Sequence, residues 1–414
     1  MKEAKRIWRR YRKFLNFESM IEKDVKYSYN DLSIIPTAIS PISSRSECNP
    51  CQQFSGYDNM LYTKFLPLFT APMDSVVNKN NFGLFLENNI HPIMPRTESL
   101  EDRLEYARKG YWVAYSLSEF EEIFCNFIDK GGNYEDLIQF TEWYNCSFVC
   151  SRALIDIANG HMSKIYDLVK KAKENAEKLN YKIEVMIGNI ANPETYYKAA
   201  KAGVDYIRCS IGSGAACITS TQTSVYYPIA SLIDNLYQIK HRMYNDMYLA
   251  GVKDIKLPKI VADGGIRGYA DIIKALALGA DYVMVGSVFA KMWESAAPII
   301  NDTKGAVDKG KQSNILTEEK KRQLLKQGII LEKEYWGMST KRSQALIKPC
   351  DKYKTSEGTK KIVLVEYTME QWVENMKDYL KSAMSYTGHY TVDSFIGSPT
   401  LVILSPQTRE SINK

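Results

Sequence analysis

A chain of 414 residues with 45% hydrophobic and 25% charged side chains is long enough to bury a full core and too apolar to stay disordered. No run approaches the roughly 20 apolar residues of a membrane span, and the N-terminus lacks the apolar core of a secretory signal. Eight cysteines in so long a chain do not suggest a disulfide framework, and a net charge of +6 diluted over its length makes nucleic acid an unpromising partner; a cytoplasmic protein is expected.

In chain order, residues 1–26 form a basic extension carrying Lys2, Lys5, Arg6, Arg9, Arg10, Arg12 and Lys13, read as a helix lying against the floor of the body that follows. Cys48 and Cys51 form a lone C-x-x-C without a second pair or a nearby histidine, and read as an ordinary loop. Short β-branched or aromatic runs then recur at Pro67–Ala71, Trp112–Tyr115, Ala153–Ile157, Ile183–Ile187, Asp205–Cys209, Lys259–Ala262 and Tyr282–Val285. Helical periodicity fills gaps between them, as at Ser163–Leu179, with Ile165, Leu168, Val169 and Ala172 on one face, and at Ala270–Leu278. Strand followed by helix, repeated, means a parallel sheet, and the strand count favours a closed (β/α)₈ barrel over residues 27–400.

Two polar stretches break the rhythm, an insertion at 303–333 and a flap at 339–361, and both read as mobile loops after the last strand. Helical pattern returns over Thr368–Ala383 with Trp372, Met376 and Leu380, and residues 401–414 form a tail.

Glycine, amide and acidic residues collect after the strands: Pro72-Met73-Asp74, Ala158-Asn159-Gly160, Gly188-Asn189, Gly212-Ser213-Gly214, Asp263-Gly264-Gly265 and Gly286-Ser287. Barrel enzymes place substrates at the carboxyl ends of their strands, so an active site is expected there. In the loop Gly212–Thr219 the small residues let backbone approach a ligand, and Cys217 lies two residues before the Thr219 hydroxyl. That pairing suits a nucleophile with a proton carrier; a small buried thiol is the alternative. Loops after the last two barrel strands commonly bind phosphate, which assigns Gly264, Gly265, Gly286 and Ser287 to a phosphorylated ligand, with Asp263 suited to accept from ribose hydroxyls. Flavin mononucleotide barrels carry similar patterns, so these motifs leave flavin and substrate nucleotide open. The four histidines stay away from the glycine-rich loops, except His161, read as a surface residue, so carboxylate, hydroxyl and lysine groups are expected to carry protons.

Taken in order, Gly212-Ser213-Gly214-x-x-Cys217-x-Thr219, Asp263-Gly264-Gly265, Gly286-Ser287, Tyr335-x-Gly337-Met338, Ser356-Glu357-Gly358 and Ser385-Tyr386-x-Gly388 resemble the IMP dehydrogenase/GMP reductase family from about Tyr27 to Thr400. The resemblance implies that Cys217 attacks C2 of a purine nucleotide, that Thr219 and Glu357 handle protons, and that Asp263 holds the ribose. It further implies phosphate and base contacts from Gly264, Gly265, Gly286, Ser287, Tyr335, Gly337, Met338, Ser339, Lys354, Ser356 and Gly358. The dinucleotide would meet Arg96, Asp156, Ile157, Ala158, Ile211, Met338 and Tyr353, with Ser382 and Ser385 arriving from a neighbouring subunit of a homotetramer. A monovalent cation such as potassium would sit on Gly212, Gly214, Cys217 and Ser220.

Between Met94 and Trp112 there is no room for the paired regulatory modules usual in dehydrogenases, and the segment from Met338 to Glu357 is short. Both features point to the reductase, which converts GMP to IMP and ammonia with NADPH. Dehydrogenase chemistry on IMP with NAD is the alternative, because the spelling of Gly212–Gly214 and Cys217–Thr219 is as common there. Ala215 replaces a serine that usually contacts phosphate, and Pro95-Arg96 stands where the reductase generally has His-Lys. An inactive nucleotide-binding homologue is therefore a further reading.

Overall fold

The computed structural model describes residues 24–54, 63–126, 150–178, 181–304, 309–310, 313, 318–347 and 358–412. The basic cluster at Lys2–Lys13 lies outside these residues. Eight strands make one parallel sheet: β1 (Leu68–Thr70), β2 (Ile93–Met94), β3 (Trp112–Tyr115), β4 (Cys150–Ile155), β5 (Lys182–Ile190), β6 (Tyr206–Cys209), β7 (Lys259–Asp263) and β8 (Tyr282–Val285). Each pairs with the next in chain order from β2 to β8, and β8 returns to β1. The seam between β1 and β2 is spanned by a parallel bridge from Phe69 to His91, in which His91 N–H donates to Leu68 O and Thr70 N–H to His91 O, each at 3.0 Å. The sheet thus closes into the expected (β/α)₈ barrel.

Both faces of the strands are buried, which is why they read as apolar runs without alternation. The pleat nevertheless sorts their side chains. Phe69, Ile93, Trp112, Ala114, Leu154, Met186, Tyr206, Val261, Tyr282 and Met284 fill the barrel, while Leu68, Val113, Tyr115, Ala153, Ile155, Val185, Ile187, Ile207 and Val283 face the helices. The predicted helices form at Ser163–Lys178 and Tyr269–Ala277, burying the apolar faces read from their periodicity. Only β2 escaped the pattern: two residues between Pro92 and Pro95 are too few to show a period.

The two polar stretches after β8 are not simply loops. β9 (Ile299–Asp302), β10 (Leu331–Trp336) and β11 (Lys360–Leu364) form an antiparallel sheet, and helices occupy Glu318–Lys326 and Lys341–Ile347. The loop reading failed because the apolar residues are few and scattered among charges: Leu324, Ile329 and Leu331 bury against Trp293 and Ile299. On β10, Glu332 and Glu334 are only partly buried while Leu331, Lys333 and Tyr335 are buried, so a lysine on the buried face masked the alternation.

At the other end of the barrel, a hairpin of Gln52–Phe54 and Thr63–Phe65 covers the floor. Leu32–Ile34 pairs antiparallel with Leu401–Ile403, tying the tail to the start of the described chain. The helix read at Thr368–Ala383 forms as Met369–Thr387, capped by Thr368 and ended by Gly388. Among the described residues no helix is long and apolar enough to cross a membrane.

Candidate active site

The thiol is placed by a loop that only small residues could build. β6 ends at Cys209, and Ser210 then takes φ 150° and Gly212 φ 80°. A Cβ on Gly212 would lie 2.7 Å from that of Ser220, whose hydroxyl donates to Gly212 O at 3.2 Å. Cys217 N–H donates to Gly214 O at 3.0 Å, closing a turn that brings Cys217 to the start of the short helix Thr219–Thr223. There its thiol donates to Thr219 Oγ1 at 3.2 Å. The end of the flap lies alongside: Cys217 bridges to Gly358, and Thr359 N–H donates to Ala216 O at 2.8 Å.

Cys217 opens onto a cavity of about 580 Å³ at the carboxyl ends of the strands. Of the residues singled out from sequence, Arg96, Asp156, Ile157, Ala158, Ile211, Gly212, Gly214, Cys217, Thr219, Asp263, Gly264, Gly265, Gly286, Ser287, Tyr335, Gly337, Met338 and Ser339 line it. Ser220 sits behind Gly212, and Gly358 behind Cys217. Ser382 and Ser385 lie on the helix Met369–Thr387 and are not among the lining residues. Tyr353, Lys354, Ser356 and Glu357 lie outside the described residues.

The glycine turns form one side. Gly265 N–H donates to Ser213 O at 2.9 Å, locking the loop after β7 to the cysteine loop. A Cβ on Gly286 would stand 3.1 Å from the Tyr335 hydroxyl, so β10 delivers that hydroxyl directly over the turn at the end of β8. Burial, with Asp263 and Cys217 nearby, drives the Tyr335 hydroxyl pKa up, keeping it a neutral donor. The turns at Gly264-Gly265 and Gly286-Ser287 and the Tyr335 hydroxyl thus line one part of the cavity, where barrels commonly bind phosphate.

Continuous with these turns through Asp263 lies a charged wall that sequence reading only partly found. Arg208, inside β6, donates from Nη1 to Asp156 Oδ1 and from Nη2 to Asp263 Oδ2, both at 2.9 Å. Asn189 Nδ2 donates to the same Asp263 oxygen at 2.7 Å, and Arg96 Nη1 donates to Asp156 O at 2.5 Å. Arg208 was missed because it sits in a strand otherwise read as apolar; a guanidinium in a run buried on both faces is the signal that could have flagged it. His161 also lines the cavity. Its Nε2 accepts from Ala191 N–H at 3.0 Å, which puts the proton of the neutral ring on Nδ1, facing Thr195 Oγ1 at 3.0 Å. Burial and Lys198 lower its pKa. With both nitrogens committed, it braces the loop after β4 against β5.

Sequence comparison agrees with this geometry. The profile of the IMP dehydrogenase / GMP reductase domain matches residues 150–412. A GMP reductase of Staphylococcus epidermidis is 27% identical over 369 residues, covering 87% of this chain and 91% of that protein. The GMP reductase of Staphylococcus carnosus is 28% identical over 375 residues, 89% of this chain and 93% of its own. That of Buchnera aphidicola is 24% identical over 389 residues, 94% and 96%. With a parallel barrel, a cysteine loop after β6, glycine turns after β7 and β8, and a profile spanning more than half its length, this chain belongs to the IMP dehydrogenase / GMP reductase family.

Proposed function

We propose that the protein reduces GMP to IMP and ammonia with NADPH. The observation that carries this reading is the Cys217 thiol, 3.2 Å from Thr219 Oγ1, opening onto a cavity that also holds the Asp263 carboxylate and the glycine turns. Asp263 takes the ribose, and Gly264, Gly265, Gly286, Ser287 and Tyr335 take the phosphate. Met338 and Ser339, on the turn after β10, flank the base together with Lys354, Ser356 and Gly358. The purine C2 then faces the thiol.

In the first half of the reaction the Cys217 sulfur bonds to C2, giving up its thiol proton to the Thr219–Glu357 pair, and the bond from C2 to the exocyclic nitrogen breaks. Thr219 relays a proton from Glu357 to the departing ammonia, since the only histidine at the cavity, His161, is committed elsewhere. A reduced nicotinamide, when bound, would supply the hydride that C2 gains; the Cys217 sulfur leaves C2 with its bonding pair and takes a proton from solvent, leaving IMP and the free thiol. Arg96, Asp156, Ile157, Ala158, Ile211 and Tyr353 would hold that dinucleotide, with Ser382 and Ser385 of a neighbouring subunit completing its site in a tetramer. Oxygens of Gly212, Gly214, Cys217 and Ser220 would hold a monovalent cation and brace the loop.

Consumption of NADPH dependent on GMP, with release of IMP and ammonia, tests the reading. Production of NADH from IMP and NAD, with no reaction on GMP, would replace it with the dehydrogenase, which the spelling of the Gly212–Thr219 loop favours as second choice. Sedimentation is expected to give a tetramer; a fully active monomer would remove Ser382 and Ser385 from the site.

A further inference from the structure

Four charged side chains cross the cavity in alternating sign: Arg96, Asp156, Arg208 and Asp263. The central link is Arg208, whose side chain is only 9% exposed. Its guanidinium is shared between two carboxylates from different strands, Asp156 after β4 and Asp263 at the end of β7. On the Asp263 side, Arg208 Nη2 at 2.9 Å, Arg208 Nε at 3.3 Å and Asn189 Nδ2 at 2.7 Å all converge on Oδ2. The other oxygen is thereby the one offered to a ligand hydroxyl. Room for the guanidinium stem comes from Gly188, where a Cβ would stand 2.5 Å from that of Arg208.

A planar guanidinium has a fixed fork of donors, so a rotation that improves its bonds to one carboxylate must alter those to the other. Two partly shielded carboxylates on either side of one cation are therefore not independent. Resting on the assignment of Asp263 to the nucleotide and Asp156 to the dinucleotide, we propose that Arg208 is the positioning residue that couples the two subsites. A nucleotide ribose on Asp263 fixes the fork, the fork fixes Asp156, and the dinucleotide then meets a carboxylate already in place. By thermodynamic reciprocity the dinucleotide tightens the nucleotide by the same factor.

NADP+ offers no hydride, and Cys217→Ala, carried in every chain tested, leaves no thiol to displace ammonia, so GMP with NADP+ is an inert pair and the coupling can be measured at equilibrium on the full chain, the chain with that change alone serving as the wild type. Calorimetry gives the Kd of GMP alone and with saturating NADP+, and the ratio is the coupling factor. For the wild type we expect about fivefold or more. Arg208→Lys keeps the charge but loses the fork, and should bring the ratio to within about twofold of unity while each ligand still binds. Asp156→Asn, which keeps the shape and removes the far carboxylate, should do the same and serves if the lysine variant is poorly folded. Asn189→Ala removes a donor to Asp263 and none to Asp156, and should weaken GMP while leaving the ratio at its wild-type value. A wild-type ratio near one with both ligands bound, or an unchanged ratio in Arg208→Lys and Asp156→Asn, overturns the coupling role and leaves the functional reading standing. Failure of the wild type to bind either ligand overturns the functional reading and the coupling with it.

Discussion

Cys217 and Thr219 are useful to chemistry because the thiol proton already has somewhere to go. The thiol donates to Thr219 Oγ1, and the loop holding both is tied at Gly212, Gly214 and Ala216. Affinity, by contrast, is assigned to groups elsewhere on the wall: Asp263, the glycine turns and Tyr335. Cys217→Ala should therefore abolish turnover while GMP binding stays within roughly tenfold of the wild type, because the bond-forming atom and the binding groups are separate. Steady-state rates with NADPH and a direct binding titration check this; retention of more than about a tenth of the rate would end the covalent mechanism. His161 makes the complementary point. From sequence it stood out as the one histidine near a glycine loop, yet both ring nitrogens are engaged in bracing backbone and side chain.

Elements were legible where their burial was uniform and hidden where it was not. The long barrel strands announce themselves as apolar runs, and the helices at Ser163–Lys178 and Tyr269–Ala277 as periodic ones. The cysteine loop and glycine turns were equally plain, since close backbone approach demands residues that stand out in composition. Hidden were β2, too short for any period, and β10, whose inward row includes Lys333. Arg208 was hidden for a related reason, since its role is a pairing between strands distant in sequence, which no local pattern encodes; Asn189 stood among the strand-end residues, but its bond to Asp263 was not legible there. Lys333 also explains how β10 aims Tyr335. Fully buried, its Nζ donates to Met292 O and Ser295 Oγ at 2.8 Å, with Trp293 O at 3.2 Å and Ser295 O at 3.4 Å. The Lys333 amine, whose pKa burial pulls down to about 7, thus gathers the oxygens of the segment after β8 onto the strand that carries Tyr335. Lys333→Met fills similar volume but strands those acceptors, and should lower stability by about 2–4 kcal/mol. Because Tyr335 lies two residues on, the KM for GMP should rise more than kcat falls. Denaturant melts and kinetics on the same variant check both; unchanged stability would mean that water satisfies the cage as well as the lysine does.

As a whole, the barrel separates its tasks by end. Loops at the carboxyl ends of the strands carry the candidate chemistry, while the opposite floor carries a closure built around a buried histidine. His91 supplies the backbone bridge across the β1–β2 seam. Its ring is stacked 4.3 Å from Phe65 and meets Phe54 edge-on at 4.6 Å. Burial drives its pKa well below 6.5, and the nearby cations Arg152 and Lys259 push the same way. Arg152 is held by Glu184 at 2.8 Å, so the carboxylate on that side is already engaged with a cation. The sign follows from linkage. In the unfolded chain this histidine binds a proton near 6.5, whereas in the folded barrel it does so only at much lower pH, so between those values the unfolded state holds the extra proton. Stability is therefore full above 6.5 and is lost as the pH falls below it, by at most about 1.4 kcal/mol per pH unit for this one group. His91→Gln removes the titration while retaining an amide able to hydrogen-bond. It should be less stable than the wild type at neutral pH, because the stacking on Phe65 is gone, but its stability should fall less steeply on acidification. Urea midpoints followed from neutral pH down through 6.5 distinguish the two curves, and parallel curves would show that the acid sensitivity of the barrel resides in other groups.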